Sequence, residues 1–166
     1  MFQLKTLSPD AVPRALAKAE RYRLLNEPGE AVSICLDALE IDPDNQQAIT
    51  TLLLAITEQF ESDMTRVHEA WRVVARLTDE YERIYYSGII HERRAKAFLR
   101  HSTPRGGTRV YEWLREAMAC YEKAEALRAP DNDDALLRWN ACARLIMSDR
   151  HLAPVSEEPA EPLLLE

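Results

Sequence analysis

The stretch at residues 31–45, AVSICLDALEIDPDN, decides the fold class that we predict for this chain of 166 residues. Ala31, Cys35 and Ala38 are four and three residues apart, so they share one face of a helix. Their small side chains allow a neighbouring helix to pack closely against that face. Pro43 ends the helix, because proline lacks an amide hydrogen and disfavours helix in the residue before it.

A second copy of this pattern lies at residues 117–132, AMACYEKAEALRAPDN. Ala117, Tyr121 and Ala124 repeat the spacing of the first copy, and Pro130 again ends the helix. This A-x3-[FY]-x2-A…P pattern resembles the tetratricopeptide repeat family. The resemblance implies an all-α fold, a short right-handed solenoid of about three helix pairs with a C-terminal capping helix.

The resemblance is uneven along the chain. Ala19 and Tyr22 stand where the family has G-x2-Y, so residues 12–45 form one complete repeat. The middle repeat is irregular: if Ala70 corresponds to the first alanine of each copy, the spacings are 39 and 47 residues, against roughly 34 in the family. We expect a repeat domain at residues 1–150 and an extended or disordered tail, rich in Pro and Glu, at residues 151–166.

Capping residues predict the helix boundaries where proline gives no guide. Asp44 or Asn45 is placed to cap the third helix. We expect breaks at residues 61–63 and at Thr78–Asp79, with Asp79 and Glu82 spaced as a capping box. One long helix should follow, from Asp79 to His101. The remaining predicted caps are Thr108 for the sixth helix and Asp131 or Asn132 for a last helix that ends near Asp149.

Composition favours a soluble helical protein of the cytoplasm. Only four glycines are present, and no apolar run approaches the roughly 20 residues of a membrane span. The first ten residues, MFQLKTLSPD, have no charged start and apolar core of a secretory signal. Three widely spaced cysteines, Cys35, Cys120 and Cys142, predict buried reduced thiols, not a disulfide framework or a metal site.

Motifs of catalysis and metal binding fail at the decisive positions. His68 and His91 each begin an HExxH zinc motif, but Arg72 and Ala95 stand where the second histidine is required. The chain has neither a G-x-S-x-G nucleophile motif nor a glycine-rich phosphate loop. We therefore expect no enzyme activity, no metal and no cofactor.

A basic stretch carries the predicted binding site. Net charge is −7 overall, yet residues 93–115 carry seven basic side chains and one acidic. Arg93, Lys96 and Arg100 share one helical face, and in the family resembled here the first helix of each pair lines the groove that binds the partner. We expect these three and Arg105 to bind a carboxylate, a phosphate or acidic side chains of a partner. A solvated helix end, with basic residues that suit its dipole, is the alternative.

The predicted function is a non-enzymatic scaffold or adaptor that binds a protein or peptide. A mildly acidic chain is unsuited to coating nucleic acid, although a nucleic-acid-binding helical repeat is an alternative with Tyr85, Tyr86 and Tyr111 near the basic stretch. A self-assembling structural subunit is the other alternative. The ends of the array and the tail, with its glutamates and leucines, offer two routes to a homo-oligomer.

Overall fold

The computed structural model describes residues 2–101 and 106–154, and this part of the chain contains seven α-helices and no strand. The helices are α1 (Val12–Leu24), α2 (Pro28–Ile41), α3 (Gln46–Thr57), α4 (Arg66–Val74), α5 (Glu80–His101), α6 (Gly107–Leu127) and α7 (Asp134–Ser148). A 3₁₀ turn, Pro9–Ala11, precedes α1. The predicted all-α class is confirmed.

Each helix packs against the next one in sequence, from α1 and α2 through to α6 and α7. The loops between them are short, so consecutive helices run in opposite directions. Contacts also join α1 to α3 and α3 to α5. Helices α1, α3 and α5 therefore lie side by side.

Two of the predicted caps, Asn45 and Asp79, are confirmed and two are wrong. The N-cap of α7 is Asp133, and not Asp131 or Asn132. The side chain of Asn45 accepts a hydrogen bond from the amide of Ala48, at 2.9 Å, and Asp79 accepts one from the amide of Glu82, at 2.8 Å. Thr108 does not cap α6, because that helix already begins at Gly107 and Thr108 lies in its first turn.

The two small-residue faces are buried, as their spacing predicts. On α2 the face comprises Ala31, Cys35 and Ala38. On α6 the alanines Ala117 and Ala124 flank the large ring of Tyr121, and none of the six is accessible to solvent. Close approach of two helices removes solvent from both, and small side chains permit it. Gly88 of α5 provides the matching space for the Tyr121 ring.

The interior is divided into two hydrophobic clusters, and α5 contributes to both. Ile90 and Ala97 pack into the cluster formed by α1–α4, whereas Ile89 and Ala95 pack into the cluster of α6 and α7. Tyr86 contacts both clusters.

The packed chain extends beyond α7. Leu152 is buried in the cluster of α6 and α7, so the ordered part continues past the predicted domain boundary at residue 150. The rest of the predicted tail, residues 155–166, lies outside the described residues.

Candidate functional site on the odd-numbered helices

The basic stretch lies in the second half of α5, between α3 and α7. Arg93, Lys96 and Arg100 are on this helix, as predicted. Arg93 and Arg100 lie near carboxylates from outside the helix, and Lys96 pairs with a carboxylate one turn away on α5 itself. Arg105, the fourth predicted residue, lies outside the described residues. The described basic side chains of this site are therefore all paired with carboxylates. Their capacity to bind a further anion depends on how much of each side chain remains accessible.

Arg93 links α5 to α3. Its guanidinium donates to the carbonyl oxygen of Leu54 at 3.1 Å and to Oγ1 of Thr57 at 2.6 Å. It also lies 3.5 Å from Oε1 of Glu58. Burial lowers the pKa of Arg93, and the negative charge of Glu58 partly opposes this shift. The guanidinium stays charged at neutral pH, because arginine is effectively always protonated in proteins. Arg93 is a structural contact between two helices.

The same carboxylate extends the network to α1. Glu58 accepts from NH2 of Arg23 at 2.6 Å, and Arg23 also pairs with Glu20 at 2.8 Å. Glu20 in turn accepts from Oγ1 of Thr51 at 2.7 Å. A continuous chain of charges and hydrogen bonds thus crosses three odd-numbered helices, α1, α3 and α5.

Lys96 pairs with a carboxylate that is fully buried, Glu92. The Lys96 ammonium lies 2.5 Å from Oε1 of Glu92, and NH1 of Arg138 from α7 approaches the same oxygen at 3.3 Å. The hydroxyl of Tyr121 donates to the other oxygen at 2.6 Å. Burial acts to raise the pKa of Glu92, but the hydrogen bonds from Lys96 and Tyr121 and the nearby positive charges outweigh it and lower the pKa.

This arrangement leaves part of two cations open to solvent. The side chain of Lys96 is 42% exposed and that of Arg138 is 37% exposed, while Glu92 is inaccessible. Arg100 is 67% exposed and pairs with Glu61, itself about half exposed. Positive charge therefore faces outward from α5 and α7, and the acid that partly balances it lies underneath.

A second polar cluster joins α5 to α6. Oε2 of Glu116 lies 2.8 Å from Nδ1 of His91 and 3.0 Å from NH2 of Arg94. The guanidinium of Arg94 stacks over the ring of Trp113, 4.2 Å from its centroid. Burial lowers the pKa of His91 although Glu116 acts to raise it. These contacts are those of a packed interface, and His91 is a hydrogen-bonded packing residue, as predicted.

Another basic surface lies on α1, and the sequence analysis did not single it out. Arg14, Lys18 and Arg21, with Tyr22 and Leu25, line a depression of about 530 Å³. These three basic side chains have no carboxylate partner among the described residues, and Lys18 lies 5.7 Å from the Tyr22 ring centroid. Their spacing of four and three along one face is the signal that could have revealed them.

The described residues contain no cluster of three or more side chains suited to hold a metal ion. Over the same residues, no helix is both long and apolar enough to cross a membrane. The three cysteines are free, with Cys35 and Cys142 buried and Cys120 half-buried. Burial raises the pKa of Cys35 and Cys142 to about 12, so both thiols are protonated at neutral pH.

Comparison of the chain with protein-family models, with curated proteins and with solved structures found no match.

Proposed function

We propose that this chain is a non-enzymatic adaptor of the cytoplasm, a short right-handed solenoid of tetratricopeptide-like helix pairs that binds another protein. The packing of each helix on its successor and the two buried small-residue faces support the repeat architecture. The lack of a metal-binding cluster in the described part of the chain and the raised pKa of the buried thiols offer no support for catalysis there.

The observation that carries the binding proposal is the convergence of two cations on one buried acid. Lys96 and Arg138 share the single carboxylate of Glu92, so one positive charge is uncompensated at that point. A partner carboxylate can approach the exposed ends of both side chains without displacing Glu92. Charge-assisted bonds of this kind are stronger than neutral ones.

Arg100 adds a further contact at the end of the same surface, and the partner acid would compete there with Glu61. Arg105 belongs to the proposed surface by its position in sequence. Arg93 has a different role in this proposal, because its hydrogen-bonding groups already serve α3. The occupant is an acidic segment of a partner protein that lies across α5 and α7.

The test measures binding with charge-reversal variants. Partners are captured from an extract of the native cell on the immobilised full chain, and the captured protein is then purified for titration. Arg100→Glu is the test variant, because Arg100 is exposed and supports no buried acid. Arg72→Glu is the matched control, since Arg72 is an exposed arginine of α4 without a hydrogen-bond partner among the described residues.

An exposed ion pair is worth up to about 1 kcal/mol, so we expect Arg100→Glu to weaken binding by up to about fivefold and Arg72→Glu to leave it unchanged. Affinity should also fall as salt is raised. If Arg21→Glu lost binding and Arg100→Glu did not, the partner would bind at the depression on α1 and not on α5 and α7. Capture of RNA without protein would favour the nucleic-acid alternative, and a mass that rises with concentration would favour self-assembly.

A further inference from the structure

A shallow apolar groove runs between α6 and α7. Tyr111, Arg115 and Met118 line one side, and its other side is formed by Ala143, Ile146 and Met147. Its volume is about 190 Å³. Met147 is 84% exposed although it is a large apolar side chain. A segment that docked here would bury the apolar surface of Met147 and gain the free energy of removing it from water.

The groove lies at the end of the described helix array. Each of α2 to α6 packs against the helix before it and the helix after it, whereas α7 packs against α6 and is the last helix that the structure describes. Stacked repeats bury their faces on their neighbours, and the terminal unit needs a polar outer cover. The outer side of α7 is only partly polar, since Leu137 and Met147 are exposed beside Arg144 and Ser148.

The chain after α7 returns to the head of this groove. The main chain of His151 lies so close to Gly107 that a Cβ on this glycine would clash with the His151 carbonyl group. Gly107, Tyr111 and Arg115 are spaced four residues apart on α6, so they share one face. The chain therefore leaves the packed structure, after Leu152, at the end of the face that continues into the groove.

The following residues are long enough to cover it. Residues 107–118 of α6 span roughly 16 Å at about 1.5 Å per residue. The 12 residues of the segment 155–166 reach about 40 Å when extended. Prolines at 159 and 162 disfavour a helix in this segment, so an extended strap is the conformation that its sequence favours.

Charge and hydrophobicity of the segment match the groove. Its four glutamates surround three consecutive leucines, Leu163–Leu165. The exposed arginines beside the groove and the exit of the chain are Arg115, Arg144 and Arg150. None of these three pairs with a carboxylate of the described residues, in contrast to the paired basic side chains of α5.

We propose that residues 155–166 dock on the same chain as an extended strap, with leucine side chains in the groove between α6 and α7 and glutamates facing the surrounding arginines. The strap covers the side of α7 that borders the groove. This inference uses the residues that line the groove and not the cations Lys96, Arg100 and Arg138, so it holds or fails independently of the proposed function.

Methionine methyl groups report on the groove directly. NMR spectra of the full chain with labelled methionines give signals for Met118 and Met147 in the groove and for Met64, which packs in the other cluster. The test variant replaces Leu163, Leu164 and Leu165 with serine. Ala160→Ser is the matched control in the same segment. Arg115→Glu is a second test variant, on the groove itself, that leaves the segment intact.

We expect the triple leucine variant to shift the Met147 and Met118 signals and to speed amide exchange at residues 143–148, with Met64 and the control unchanged. Arg115→Glu should shift the Met147 signal in the same direction. Identical groove signals in the full chain and the triple variant would overturn the proposal. It would equally be overturned if the full chain sedimented as a dimer and the triple variant as a monomer, since a second copy would then supply the strap.

Discussion

Gly88 of α5 lies directly against the ring of Tyr121 of α6, and a Cβ added to this glycine would be 2.5 Å from Cε1 of that ring. The ring has little freedom to move, because the Tyr121 hydroxyl donates to the buried carboxylate of Glu92. The close approach of α5 and α6 and the polar cluster beneath the candidate binding surface therefore depend on the same tyrosine.

The first prediction concerns this close approach. Overpacking typically destabilises by about 1–3 kcal/mol, and replacing a helical glycine by alanine returns up to ~1 kcal/mol. We expect Gly88→Ala to lower the free energy of unfolding by about 1–2 kcal/mol in urea denaturation. Gly29→Ala is the control: its Cβ would meet no atom within 4 Å, so a gain of about 0.5 kcal/mol is expected. Equal stability of the two variants would contradict the packing described here.

The second prediction concerns the charge of Glu92. Replacing one partner of a buried ion pair costs about 3–5 kcal/mol. For Glu92→Gln we expect a loss near 3 kcal/mol at neutral pH, since Lys96 and Arg138 retain access to water.

The stability that ionised Glu92 contributes should depend on pH. The folded pKa of Glu92 is lowered from 4.5, so the ionised carboxylate contributes stability above that pH. The contribution is lost as the pH falls through the lowered folded pKa. Urea titrations of the parent and of Glu92→Gln should therefore converge in acid. A difference between them that stays constant from pH 7 to about pH 3 would show that the carboxylate's charge does not matter.

The third prediction separates two arginines on one face of α5. Arg93→Met removes the hydrogen bonds to Leu54 and Thr57, and each bond lost from a charged donor is worth about 1.5–3 kcal/mol. We expect a loss of at least about 1.5 kcal/mol in unfolding free energy. Arg100→Met, at an exposed site, should change it by less than about 0.5 kcal/mol. The same pair of denaturation curves would refute the assignment of Arg93 as an interhelical contact if the two variants unfolded alike.

The fourth prediction concerns thiol reactivity. The pKa of Cys35 and of Cys142 is raised to about 12 by burial, and that of Cys120 is raised as well. Because the thiolate is the reactive form, alkylation of the native chain at pH 8 should be slow, with half-buried Cys120 modified first. Mass spectrometry of digested samples would measure the order, and the urea-unfolded chain, in which all three should react together, is the control. Modification of Cys35 before Cys120 would contradict the burial found here.

Local signals in the sequence predicted the helices well because they act over a few residues. The capping side chains of Asn45 and Asp79, and the length of α5, depend on neighbours three or four positions away. Thr108 was a wrong cap because α6 starts one residue earlier, at Gly107. Gly107 lies against the main chain of His151, a contact distant in sequence that neighbouring residues do not indicate.

Signals of this local kind could not predict which charged side chains of α5 are buried or already paired. Arg93 meets Leu54 and Glu58 across more than thirty residues of sequence, and no pattern within α5 indicates that encounter. Glu92 is the clearest case, since a glutamate beside a run of basic residues suggests a solvated helix surface. Its burial requires donors from three helices at once.

The division of the interior at α5 has a mechanical consequence. Each hydrophobic cluster is continuous within its own half, while the junction between α3 and α5 includes the ionic contact of Arg93 with Glu58. Tension applied between the first and last helices would thus be resisted at mid-length partly by charged groups. The side chains of Arg93 and Glu58 are mostly buried, and salt screens buried charges much less than exposed ones, so this junction should keep its stiffness at high salt.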